Sequence, residues 1–293
     1  MIFVQAALTG VLVGGLYALM AIGMSLAWGM LRVINLAHFG LILFSAYLTY
    51  ALTTDVGLDP LLTVVVTVPV TFLIGAAIQW GYQRFAVSEL SSLLVSFGLL
   101  IMGIQLISNV WKADFRRLAA DVNPYATGSL TIGPLVFPMP TLIASVAAVT
   151  LVVLIHLVLA RTYVGRALRA FAEDPPIAAA FGIDHRRLGV LLGGAAGATA
   201  AVAGTLFAIG WSLTPSTAFE WFGVVFAVVI LGGIGNVLGT LLAGALVGGI
   251  AGVMTIAWSS VAAPVVVYSL VVLALLFRPN GLLPRRGGHG GHR

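Results

Sequence analysis

Side chains able to do chemistry are scarce in this chain. Its 293 residues include nine carboxylates, five histidines, a single lysine and no cysteine. Without cysteine there are no disulfides, thiol nucleophiles or thiolate-held metals. A phosphate-binding loop needs Gly-Lys-Ser/Thr, and Lys112 is followed by Ala113, so the chain cannot hold ATP in that way. His-Glu-x-x-His, Gly-x-Ser-x-Gly and aspartate-rich metal motifs are missing too. We therefore assign no catalytic residue, no metal site and no cofactor to this chain.

A few polar residues still call for a role. Asn35 and His38 stand at the start of an apolar run, where they either line a gate or cap a broken helix. Gly232, Gly233, Gly235 and Asn236 interrupt another run and are further pore or gate candidates. Glu220, alone between Trp211 and Phe222, could meet a ligand amine or be a solvated loop acid. His156 reads as packing or interfacial, and His289 and His292 as a weak metal tail or a disordered end. The glycine series Gly235, Gly239, Gly244, Gly248 and Gly252 suits tight packing or room for a solute. The densest cluster is 161–187, with five of the fourteen Lys/Arg and three of the nine carboxylates. There Asp174 is an N-cap, Pro175 suits the first helical position, and Gly182 suits a left-handed close after Phe181. Asp184 is placed to cap the next helix. This stretch is either one short helix standing outside the membrane or an ordinary charged loop.

The elements that position these residues are oily. The chain is 60% hydrophobic and 8% charged, and apolar runs of membrane-spanning length recur throughout. Alternating barrel strands are absent, so the expected class is an all-α polytopic membrane protein. Spans are expected near 6–30, 38–54, 61–82, 91–111, 141–160, 188–210, 222–231, 237–256 and 263–277. The 222–231 segment is short, which leaves eight or nine crossings, some broken at glycine-rich points. Pro69 is expected to kink the third span. A short hairpin is expected near Leu130–Ile132. The first apolar run has no basic residue ahead of it and reads as a retained span, not a cleaved signal.

The whole of 1–293 reads as one transmembrane permease domain. Its parts are the 161–187 loop, an excursion at 112–140 and a tail at 278–293. Nine crossings put Arg32, Arg84, the loop arginines and those of the tail on one side, against Lys112, Arg116 and Arg117 on the other. Eleven against three makes the loop and tail cytoplasmic and the N-terminus and excursion external. No charge sits in mid-span, which disfavours a proton-driven carrier. The residues suit an importer powered by a separate ATPase. An ATP-independent carrier or facilitator is the second reading and a membrane enzyme the last.

Three stretches carry a resemblance. They are Gly15–Leu19 with Arg32–His38; Gly165–Ala170 with Asp174, Pro175, Ala178, Ala179, Gly182 and Ile183; and Gly232–Gly239. Together, in order along nearly the whole chain, they resemble the LivH-type permease of branched-chain amino acid ABC transporters. One departure is Phe39-Gly40, where many relatives have glycine directly after the histidine. The resemblance implies a cytoplasmic coupling helix at about 175–181, flanked by Arg166, Arg169 and Glu173, docking into an ATPase subunit. It implies as partners two ATPases that bind the ATP, a second, LivM-like permease and an external solute-binding protein. It also implies a prokaryotic plasma membrane as the location, with membrane lipid around the chain and no nucleic acid bound. Related permeases serve branched-chain and other amino acids, amides or urea.

Overall fold

A computed structural model describes residues 1–259, 262–277 and 281. The arginines of the tail, His289 and His292 lie outside the described residues. Among the described residues eleven helices and one hairpin follow in order. They are α1 (Ile2–Leu31), α2 (Ala37–Thr54), α3 (Val64–Arg84), α4 (Glu89–Trp111), β1 (Ser129–Ile132) and β2 (Leu135–Pro138). Then come α5 (Met139–Arg161), α6 (Tyr163–Glu173), α7 (Pro175–Ala180), α8 (His185–Gly210), α9 (Thr217–Gly232), α10 (Val237–Ala257) and α11 (Ala262–Phe277).

Seven of the described helices are long and apolar enough to cross a bilayer. The apolar helices α9 and α11 have 16 residues each. At 1.5 Å per residue that is about 24 Å, short of a hydrocarbon core of about 30 Å. Pro69 lies inside α3 without ending it. The hairpin forms where expected, pairing Ser129 with Pro138 and Ile132 with Leu135 around a turn at Gly133.

Two differences from the sequence reading matter. The 161–187 stretch holds two helices, α6 and α7, where one was expected. Thr162 caps α6 by accepting from the Gly165 amide at 3.1 Å. Leu168 then packs with Leu26, Met30 and Leu192, so α6 exists because α1 and α8 cover its apolar side. The second difference is that α9 begins at Thr217, which moves Glu220 from a loop into the first turn of a helix.

The centre of the bundle is α1 and α8, with α2, α9 and α10 around them; Leu16, Leu19, Met20, Phe39, Tyr47, Phe207 and Trp221 form its core. By contrast α3, α4 and α5 present wide apolar faces outward, with Leu73, Leu94, Leu106 and Leu154 all exposed. In lipid such faces are expected, because the hydrocarbon is as apolar as the side chains.

Helices in lipid associate through close packing and interhelical hydrogen bonds, and two seams supply both. Antiparallel α1 and α10 meet at small residues: a Cβ on Gly14 would overlap the Gly244 carbonyl, and one on Gly10 the Gly248 carbonyl. Between α3 and α8, Gly75 lies against Gly193 and Gly197. Buried hydroxyls finish this second seam, with Thr49 bonded to Thr63 and to Thr205 at 3.0 Å each.

Gly14→Val should force α1 and α10 apart and cost about 1–3 kcal/mol, as overpacking typically does. Gly98→Ala, where an added Cβ meets nothing within 4 Å, should be neutral or stabilising by up to about 1 kcal/mol. Thermal unfolding of the purified variants in one detergent checks the contrast. Equal midpoints would contradict the seam.

Candidate functional site

Two candidate regions lie at opposite ends of the bundle. The first is an open cavity of about 590 Å³ lined by α1, the end of α8, α9, α10 and α11. Its apolar wall includes Leu16, Met20, Phe207, Trp221 and Val247. Phe207 stacks on Trp211 with centroids 5.7 Å apart and meets Trp221 edge-on at 4.8 Å. Polar groups come from Tyr17, Ser212, Thr214, Thr217, Thr255 and Tyr268, and Glu220 is the one carboxylate among the described lining residues.

Local sequence explains this polar arc. The Thr214 and Thr217 hydroxyls lie 2.7 Å apart, and the Thr214 amide donates to the Thr217 hydroxyl at 3.3 Å, closing the turn into α9. Glu220, one turn later, sits where the partial positive charge of the helix start favours a carboxylate. It is exposed toward the cavity mouth. An apolar wall beside one carboxylate and several hydroxyls can hold an aliphatic solute by its side chain and its ammonium together.

The excursion after α4 is stitched to this mouth. Arg116 and Leu213 pair through both backbone bonds, at 3.0 and 2.7 Å, and Phe115 joins the cavity lining. Buried Asn123 donates to the Ile209 carbonyl at 2.9 Å. Tyr125 donates to the Asp59 carboxylate at 3.0 Å. Burial of the ring and then the bond and charge of Asp59 push the Tyr125 hydroxyl above the usual phenol range, so it stays a donor.

The second region is the α6–α7 pair on the arginine-rich face. Asp174 caps α7 by accepting from the Ile177 amide at 3.1 Å, and Gly182 closes it at φ 79°. Asp184 caps α8 through the Arg186 and Arg187 amides, both at 3.1 Å. These three residues do locally what their types dictate. Of the coupling candidates, Arg166, Glu173, Asp174, Ala179 and Gly182 are exposed, while Arg169 and Ile183 are half-buried. Ala178 is buried, so it seats α7 on the bundle. Ile177 and Phe181 are exposed at 57% and 83%, beside the arginines and carboxylates of this face. Their i, i+4 spacing within a charged stretch is the sequence signal for this pair.

The gate candidates lie apart from the cavity and do not line it. His38 is buried, its Nε2 3.0 Å from the Met20 carbonyl and its ring against Gly23. Capping by Asn35 or His38 is not what starts α2: its N-cap is Leu36, with no side-chain bond. The Asn35 Oδ1 is buried with no partner among the described residues. Gly233 and Gly235 turn with positive φ between α9 and α10. Asn236 caps α10 by accepting from the Gly239 amide at 2.9 Å, and the Gly235 amide donates to Ser25 at 3.1 Å. Gly232 packs backbone to backbone on Gly239. This turn is thereby locked to α1 on the arginine-rich side.

Known proteins similar in sequence point one way. The high-affinity branched-chain amino acid transport system permease protein BraD of Pseudomonas aeruginosa is 28% identical, over 97% of this chain and 96% of its own length. The corresponding LivH protein of Escherichia coli K12 is 29% identical with the same coverage. A probable branched-chain amino acid transport permease protein LivH of Methanocaldococcus jannaschii is 24% identical over 81% of this chain and 76% of its own. No solved structure matches. The family described as branched-chain amino acid transport system / permease component matches residues 6–277, and this chain, a multi-pass membrane protein, belongs to it.

Proposed function

We propose that this chain is the membrane-spanning subunit of an ATP-driven importer for branched-chain or other hydrophobic amino acids. The observation that carries the reading is the cavity of about 590 Å³ with an aliphatic and aromatic wall and Glu220 at its edge. Burying a Val, Leu or Ile side chain against such a wall is worth about 1.5–3 kcal/mol. Urea or a small amide would leave that wall unused, so aliphatic amino acids fit better.

The remaining assignments draw on charge and on what the family resemblance implies. The arginine-rich face is cytoplasmic and the N-terminus external. The excursion beside the cavity mouth then meets an external solute-binding protein. Lys112-Ala113 cannot complete a phosphate loop, and the two separate ATPase subunits that the family resemblance implies would bind the ATP. A second, related permease completes the pathway. Docking falls to α6–α7, with Ile177 and Phe181 entering an apolar groove and Arg166, Arg169, Glu173 and Asp174 at the polar rim. When ATP closes the ATPases, α7 moves with them. Because α8 runs unbroken from its Asp184 cap to Phe207 in the cavity wall, that motion reaches the solute. Asn35, His38 and the 232–236 turn are proposed as the packing that seals the cytoplasmic end between cycles.

Phe181→Ala combined with Ile177→Ala should weaken ATPase co-purification by at least about 30-fold, the scale of an interface hot spot. Gly182→Arg, which strains a φ of 79°, should act in the same direction. ATPase recovery unchanged in both variants would remove α7 from the interface. Separately, Glu220→Gln should raise the KM for leucine uptake by the complete transporter about 10-fold or more, the scale of a hydrogen bond to a charged group. Uptake from a panel including isoleucine, valine and urea reads the substrate class at the same time. Preferential uptake of urea, or an unchanged leucine KM in the variant, would overturn the assignment of the cavity.

A further inference from the structure

Two further cavities lie apart from the large one, beside the α6–α7 pair and along the α3–α8 seam. One, of about 440 Å³, is an apolar groove bounded by α3, α5, α6 and α8, with Phe72, Leu154, Leu188 and Ala195 in its wall. The other, of about 500 Å³, lies at the arginine-rich end of the same α3–α8 seam, lined by Trp80, Gln83, Arg84, Arg186, Arg187 and Val190. Leu191 borders both, so the two lie next to each other. On α3, Val68 with Phe72 and Trp80 with Arg84 are each i, i+4 neighbours, the first pair in the groove and the second in the basic cavity.

Dimensions and charge agree on an occupant. From Leu188 to Val202 along α8 the groove runs about 21 Å. That exceeds the ~15 Å depth of one leaflet's hydrocarbon, so a single acyl chain fits lengthwise. Trp80 is exposed one turn below Arg84, the depth at which tryptophan settles at the membrane interface. Arg187 pairs with Asp184 at 3.0 Å, but Arg84 and Arg186 have no ion pair among the described residues. No carboxylate lines the basic cavity, and Glu89, nearby in sequence, accepts instead from the Trp28 indole at 3.1 Å. Basic pockets between helices at a membrane surface bind anionic headgroups.

We propose that the α3–α8 seam binds one anionic phospholipid, its phosphate held by Arg84, Arg186 and Arg187 and an acyl chain laid in the groove. The site depends neither on the transported solute nor on which side of the membrane the arginines face. The test is native mass spectrometry of the full chain with phosphatidylglycerol and phosphatidylcholine of identical acyl chains. One phosphatidylglycerol should be retained per chain, at least about fivefold over phosphatidylcholine, and inorganic phosphate should not displace it. Arg84→Gln with Arg186→Gln should weaken retention by about fivefold per arginine removed. Ala195→Phe, which fills the groove and leaves the arginines in place, should lower retention of both lipids. Equal retention of the two lipids, displacement by phosphate, or no effect of either variant would overturn the proposal. So would a cross-link from Leu191→Cys, a unique thiol in this cysteine-free chain, to a second permease in the assembled transporter.

Discussion

Everything in this molecule depends on the contact between α1 and α10. In hydrocarbon no water drives apolar helices together, so association rests on how closely backbones approach. Gly10 and Gly14 on α1 meet Gly248 and Gly244 on α10 with no side chain between them. At the other end of the same seam Gly29 lies against Gly235. One helix pair therefore fixes a wall of the large cavity, through Val13, Leu16 and Val247, and holds the α9–α10 turn through Ser25. Were the two helices to separate by one methyl group, both ends would shift together.

Around that pair the protein divides its surface by chemistry. Apolar faces of α3, α4 and α5 turn outward, whereas several buried hydroxyls bond to one another or to carbonyls, as in Thr49–Thr205 and Ser45–Ala201. Formal charge is kept to the ends. The chain can afford no unpaired ion in its interior, because a buried charge is expensive there. Glu220 avoids that cost by sitting in the first turn of α9 at the cavity mouth. The division also explains α8: capped at Asp184 among the arginines and ending at Gly210 beside the cavity, its 26 residues span about 39 Å as one rigid rod.

How much of this was legible before folding depended on whether the cause was local. Span positions, the hairpin, the caps at Asp174 and Asp184 and the left-handed Gly182 were readable, since a run of apolar residues, an Asx side chain or a missing Cβ acts over a few residues. Helix α6 was not, because its buried side amounts to Gly165, Ala167 and Leu168 and makes sense only once α1 and α8 are in place. The cavity was illegible for the same reason. Its lining comes from five helices, and Glu220 looked like a loop acid until Thr217 proved to open α9. His38 carried a polar label that the fold overrides: Gly23 leaves the space, and the Met20 carbonyl supplies the bond.

The central claim is that a cavity without its own energy source is worked from a helical handle on the far face. Uptake by proteoliposomes containing this chain alone, compared with those containing its complete transporter, addresses it most directly. Leucine should accumulate only in the complete assembly, and only with ATP on the side of the arginine-rich face. Concentrative uptake by the chain alone, or accumulation indifferent to ATP, would contradict the account.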